Sequence, residues 1–108
     1  MTNKGSNRPT KADDVVAKVR RHVEQGTYRD TRHVNERRTE RGITLLEVLQ
    51  VLMRGYHEKR KDEFKPEHND WNYAIRGRTV DARELRVAVA FVEPGLLLIT
   101  AIDLSPKG

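Results

Sequence analysis

The chain has no cysteine, which removes disulfide frameworks, thiolate nucleophiles and cysteine-based zinc sites in one step. That absence fits a reducing compartment, so a cytoplasmic location is expected. Long apolar runs are missing too. The longest, GLLLITAI (95–102), is strand-sized and far short of the roughly 20 residues a membrane helix needs, so no membrane association is expected. The N-terminal MTNKGSNRPTK is polar and lacks the apolar core of a secretory signal. No Walker loop, dinucleotide fingerprint or G-x-S-x-G elbow occurs, and no cofactor is expected. No two histidines stand at close zinc-ligand spacing and no acidic cluster completes a set, so no metal site is assigned.

What is present is charge. Lysine and arginine number 21 against 16 acidic residues, a net charge of +5 on 108 residues. That length suits one domain with an ordinary hydrophobic core. The surplus is localised in VRRH (19–22), RHVNERRTER (32–41), HEKRK (57–61), RGR (76–78) and Arg83 with Arg86. Interspersed acids (Glu36, Glu40, Glu58, Asp62, Glu63) argue against a polybasic tail and for a folded domain with positive patches. The usual partner of such patches is rich in phosphate, whether RNA, DNA or an anionic membrane surface; an acidic protein would also satisfy the field, and charge that only keeps a small domain soluble is the plainer reading.

Residues 1–9 form an aperiodic polar leader, read as a flexible arm. One domain should follow over 10–104, with 105–108 as a tail. Thr10 is a plausible N-cap, with Asp13 and Asp14 in the first turn. Ala12, Val15, Val16, Val19 and Val23 then repeat at the spacing of one helical face, and Gly26 ends the helix. A second helix should start near Asp30 or Thr31 and stop at Gly42. A third starts at the capping box Thr44-Leu45-Leu46-Glu47. Its run of Leu, Val and Met predicts burial on most sides, up to Gly55. Beyond Gly55 the period becomes two. Tyr56–Phe64 reads as a polar edge strand. Trp71, Tyr73 and Ile75 alternate with polar partners, as do Leu85, Val87, Val89 and Phe91, and Glu93-Pro94-Gly95 turns into Leu96–Leu104, an apolar and central strand. The fold class is therefore α+β: N-terminal helices packed on one face of a four-stranded antiparallel sheet.

That alternation assigns the sheet faces. Trp71, Tyr73, Ile75, Leu85, Val87, Val89 and Phe91 should meet the helices. The opposite face carries Asn72, Ala74, Ala88 and Ala90 with Arg76, Arg78 and Arg86, a shallow floor rimmed by groups that fork onto phosphate. His57, Lys59 and Lys61, on one face of the polar strand, extend the expected RNA-binding set.

The pattern His33…Glu36-Arg37…Glu40-Arg41-Gly42-Ile43-Thr44, followed by Trp71-Asn72-Tyr73-Ala74-Ile75-Arg76-Gly77 and a late Leu98-Ile99-Thr100-Ala101, resembles a bacterial family of small domains of unknown function. Its members read H-x-x-E-R-x-x-E-R-G-I-[ST], and the likeness covers about residues 28–103. That family is similar to the RelE-like superfamily of toxin-antitoxin ribonucleases, including BrnT and MqsR. The resemblance implies a RelE-like fold, a toxin that cleaves messenger RNA without a metal, and a cognate antitoxin protein as partner. MqsR-type toxins carry a functional lysine near the end of the last strand. Asp103 stands near that place here, so that role does not carry over.

Metal-free RNA cleavage needs a base for the ribose 2′-OH and cations for the charge that develops on the phosphorane. His33, Arg37 and Arg41 lie at i, i+4 and i+8, one stripe of one helix, and are the candidate catalytic residues. The plainer reading makes them a solvated, salt-bridged face, with Glu36 reaching Arg32 and Glu40 reaching Arg37. Three functions stay open: an RNase-type toxin, a non-catalytic RNA- or protein-binding module of the same fold, and DNA binding through helices two and three.

Overall fold

A computed structural model describes residues 8–105. Three helices, α1 (Val15–Gln25), α2 (Arg32–Glu40) and α3 (Leu45–Arg54), precede most of the sheet. The strands are β1 (Tyr28–Arg29), β2 (Tyr56–His57), β3 (Glu63–Lys65), β4 (Asp70–Arg78), β5 (Glu84–Val92) and β6 (Gly95–Asp103). The sheet runs β1-β6-β5-β4-β2, with β3 also on β4. The α+β class holds, but the four-stranded antiparallel sheet does not. Six strands take part, and β1 lies parallel to β6 through Tyr28↔Leu96 and Arg29↔Leu97. Two residues carry no period of their own, so only the ladder reveals β1.

The helix ends follow local chemistry. Thr31 accepts the Val34 N–H at the start of α2. Thr44 and Glu47 cap each other's backbone at α3. Gly26 and Gly42 take left-handed φ of 72° beyond α1 and α2, where a side chain would be strained. The expected start of α1 at Thr10 is displaced to Asp14–Val15. The preceding segment is drawn onto the sheet instead: the Trp71 indole N–H donates to the Pro9 carbonyl (2.9 Å), and the Ala12 N–H donates to the Tyr73 hydroxyl (2.8 Å). Of the expected arm, residues 1–7 lie outside the described residues, as do 106–108 of the tail; Arg8 rests 4.9 Å from the Phe64 ring centre.

The core joins Val15 and Val19 of α1 and Val48, Val51 and Leu52 of α3 to Tyr73, Ile75, Leu85, Val87 and Val89 of the expected helix-facing side and to Leu96 and Leu98 of β6. Each fully buried Leu or Ile contributes on the order of 2 kcal/mol. Trp71 and Phe91 pack at its margin. α3 is less enclosed than its sequence predicts: Leu46 is 65% exposed, because only one side of the helix meets the sheet. Close backbone approach explains Gly77, where a Cβ would sit 2.8 Å from the Gly55 Cα.

The expected strand Tyr56–Phe64 is broken. Two carboxylates interrupt it. Asp62 turns inward to accept the Ala74 N–H (2.9 Å), replacing a ladder bond, and buried Glu58 faces two arginines. The chain between them forms a 3-10 turn at Lys59–Lys61. The sheet also splits at one end. β4 and β5 pair from Arg78↔Glu84 only as far as Tyr73↔Val89. Beyond that, β4 pairs with β3, while β5 keeps the β6 partner it has along its whole length. Among the described residues no helix is long and apolar enough to cross a membrane.

Candidate phosphate-binding site

α2 shows almost no hydrophobic face, yet it is firmly held. Val34 is half-buried, and four residues on, Arg38 is only 4% exposed. Its guanidinium pairs with Asp30 and donates to the Ile43 carbonyl (3.3 Å), while Asn35 donates to the same Asp30 oxygen (3.2 Å). Arg38 thus does the work of a core residue through ion pairing. Sequence reasoning passed over it; its i+4 spacing from Val34 was the available signal. Arg38 Nε and Asp30 Oδ1 are buried without a protein partner among the described residues.

Held this way, α2 stands off β6 across a cavity of about 350 Å³. Its helix wall presents Thr31, His33, Arg37 and Arg41, and its floor is the strand from Leu97 to Ala101. The three predicted catalytic residues therefore line one cavity. Arg41 spends one donor on the Ala101 carbonyl (3.0 Å), which fixes the C-terminal end of the helix to the strand. Arg37 and the His33 ring are exposed and make no side-chain hydrogen bond or ion pair among the described residues. Of the two pairs expected to neutralise the helix, Arg32–Glu36 forms (3.1 Å), but none links Glu40 to Arg37. The wall is cationic, with no carboxylate among its lining residues.

Of the second predicted set, the structure brings Lys61 and Arg86 to one hollow and spreads the others around it. The small floor exists, in a hollow of about 270 Å³ over Ala74, Ala88 and Thr100. Its arginines are already engaged. Arg76 donates to Glu84 (2.6 Å) and Glu58 (3.2 Å), and Arg86 donates to Glu58 (2.7 Å). The Arg86 and Arg76 guanidiniums hold the Glu58 carboxyl below the usual carboxylate range against the opposing effect of burial. Arg78 is 72% exposed and 3.6 Å from Glu84. His57 is turned inward onto Asp62 (2.8 Å); Lys59 and Lys61 are exposed on the 3-10 turn instead of sharing a strand face with it.

Asp103, where the resemblance expects a lysine, bonds the Ser105 N–H (2.8 Å) and the Arg83 guanidinium (2.9 Å). These hold its carboxyl at about 2, so it stays ionised near neutrality and cannot exchange protons there. Arg83 also reaches Glu47 (2.8 Å). Among the described residues no three His, Asp or Glu side chains converge as metal ligands.

The arrangement can grip an anion against an apolar floor and hold an open imidazole beside it. The family described as "Domain of unknown function (DUF4258)" matches residues 31–103, from the N-cap of α2 to the end of β6. No curated protein and no solved structure matches the chain.

Proposed function

We propose that the chain, which belongs to the DUF4258 family, is a RelE-like RNA-cleaving toxin whose working site is the cavity between α2 and β6. The observation that carries the reading is the convergence of His33, Arg37 and Arg41 on that one cavity, on a wall without a carboxylate to neutralise them. Two guanidiniums there grip a phosphate through forked hydrogen bonds. His33, in its neutral form, takes the proton of the neighbouring ribose 2′-OH. The 2′ oxygen bonds phosphorus, the bond to the 5′ oxygen breaks, and that oxygen leaves with a proton from solvent. The products are a 2′,3′-cyclic phosphate and a 5′-hydroxyl end. Arg37 and Arg41 face the charge that grows on the phosphorane.

A toxin of this kind needs a neutralising protein. A cationic cavity suits an acidic segment of a cognate antitoxin, and finding a small acidic or DNA-binding protein encoded next to this one would support the reading. One specific observation favours a second reading, an RNA-binding module without chemistry: among the described residues no second imidazole and no carboxyl group lines the cavity to protonate the leaving oxygen. Purified protein incubated with RNA in EDTA, with the new ends mapped, separates the two. Cyclic phosphate ends that vanish with His33→Ala support cleavage; salt-sensitive binding without new ends supports the module.

A further inference from the structure

The split end of the sheet forms a second cavity, of about 370 Å³. Residues 70–72 of β4 and 90–92 of β5 face each other there with no ladder pair between them. Each strand keeps a partner only on its outer side, β3 for β4 and β6 for β5. The Trp71 N–H has turned to the Asp70 side chain (2.8 Å), a local substitute for a missing partner. Strand edges left open within a sheet present hydrogen-bonding groups in a plane, and this cavity has the size of a small-ligand pocket. No unpaired lysine or arginine lines it: Glu67 and Asp70 stand among the lining residues with His68 and Lys65, and Lys65 is already paired to Glu63 (3.2 Å). A neutral, flat, hydrogen-bonding ring suits it better than a phosphate does.

The two cavities adjoin. Leu97 and Ile99 line both the cationic cavity under α2 and the split. A ligand with an anionic part and a neutral heterocycle in one short unit would fill both, and a nucleotide is such a unit. We infer that the split between β4 and β5 is a base-recognition subsite, in which Asn72 and the open strand edges read the edge of one nucleobase while its phosphate lies on Arg37 and Arg41. The inference rests on the RNA reading of the α2 cavity and adds to it a single position of base preference. Asn72, whose amide both donates and accepts, is the specificity-determining side chain.

The test is an abasic walk. Short single-stranded RNAs, each with one nucleotide replaced by bare ribose phosphate, are titrated against the full chain at low salt. One internal abasic position should weaken binding tenfold or more, in the range that a single buried base supplies, and the others less than threefold. Trp71, the chain's one tryptophan and a wall of the split, should change its emission with the intact strand and not with the critical abasic one. Ala90→Leu, which fills the split, should bind intact and abasic strands alike; should it fail to fold, the walk on the unaltered chain still decides. Equal affinity for every abasic strand overturns the subsite and leaves the phosphate site standing, because Arg37→Ala would still weaken them all. Failure to bind any RNA overturns both. A nucleoside monophosphate that quenches Trp71 where no RNA strand binds would assign the split to free nucleotides and overturn its role in reading a strand.

Discussion

Arg37 and Arg41, of α2 and its C-cap, and Arg76, Arg83 and Arg86, of the sheet and the β4–β5 turn, are the same side chain in two surroundings. In the sheet each guanidinium lies within 3.2 Å of a carboxylate oxygen, on Glu58, Glu84, Glu47 or Asp103. On α2, Arg37 has no carboxylate partner among the described residues, and Arg41 touches only a backbone carbonyl. Charge composition alone treats these five alike, and Arg76 and Arg86 were expected to hold RNA because strand alternation sets them around a floor of small residues. Geometry separates them. A guanidinium satisfied by a buried carboxylate has little left for a ligand, whereas one facing a cavity has most of its donors available. Positive charge marks a binding surface only where the counter-charge is missing.

The largest effect that sharpens this contrast concerns the α2 side. His33→Ala should lower RNA cleavage by about 10²- to 10⁴-fold, the range of a general base, with binding nearly unchanged. Comparable cleavage by the variant would take the catalytic half of the proposal away.

A second experiment would convert the sheet arginines into the other kind. Glu58→Gln leaves Arg76 and Arg86 without their shared carboxylate and should cost about 2–3 kcal/mol of stability in urea unfolding. The freed guanidiniums should also raise RNA affinity severalfold at low salt. A variant of unchanged stability would show that the network is ornamental.

The same carboxylates predict an acid limb. Glu58, Glu84 and Asp103 are held below their ordinary values, Glu58 chiefly by Arg86, Glu84 by Arg76, and Asp103, at about 2, by the Ser105 N–H and Arg83. Groups depressed by folding contribute stability that is present above their unfolded values, roughly pH 4, and lost as pH falls through the folded ones. The melting temperature should hold from neutrality down to about pH 5 and fall steadily toward pH 2, less steeply in Glu58→Gln.

Smallest is a backbone effect away from both regions. Ala82 sits at φ 65° in the turn between β4 and β5, where only glycine is free of strain, so Ala82→Gly should stabilise by roughly 0.5–1 kcal/mol and leave RNA binding unchanged.

Much of this was legible in the sequence, for reasons that are local. Thr31 and Gly42 bracket α2, the Thr44–Glu47 box starts α3, and strict alternation places Tyr73, Ile75, Val87 and Val89 on the core side. The stripe His33, Arg37, Arg41 follows from helical spacing alone. What stayed hidden depends on tertiary partners. Asp62 and Glu58 break a strand because of donors 12 or more residues away. Arg38 is buried because Asp30 and the Ile43 carbonyl receive it. β1 exists only because β6 lies beside it. The split lies where β4 leaves β5 and takes β3 as its partner, and no residue type announces that.

The contrast between the two arginine sets is tested most directly by the salt dependence of binding to one single-stranded RNA. Each phosphate contact adds about 0.7 to the slope of log affinity against log salt on a single strand. Arg37→Ala with Arg41→Ala should flatten that slope by about 1.4 and cut affinity severely, while Arg76→Ala, once its folded fraction is accounted for, should leave the slope unchanged. Equal flattening by both, or flattening by Arg76→Ala alone, would contradict the assignment of the phosphate site to α2.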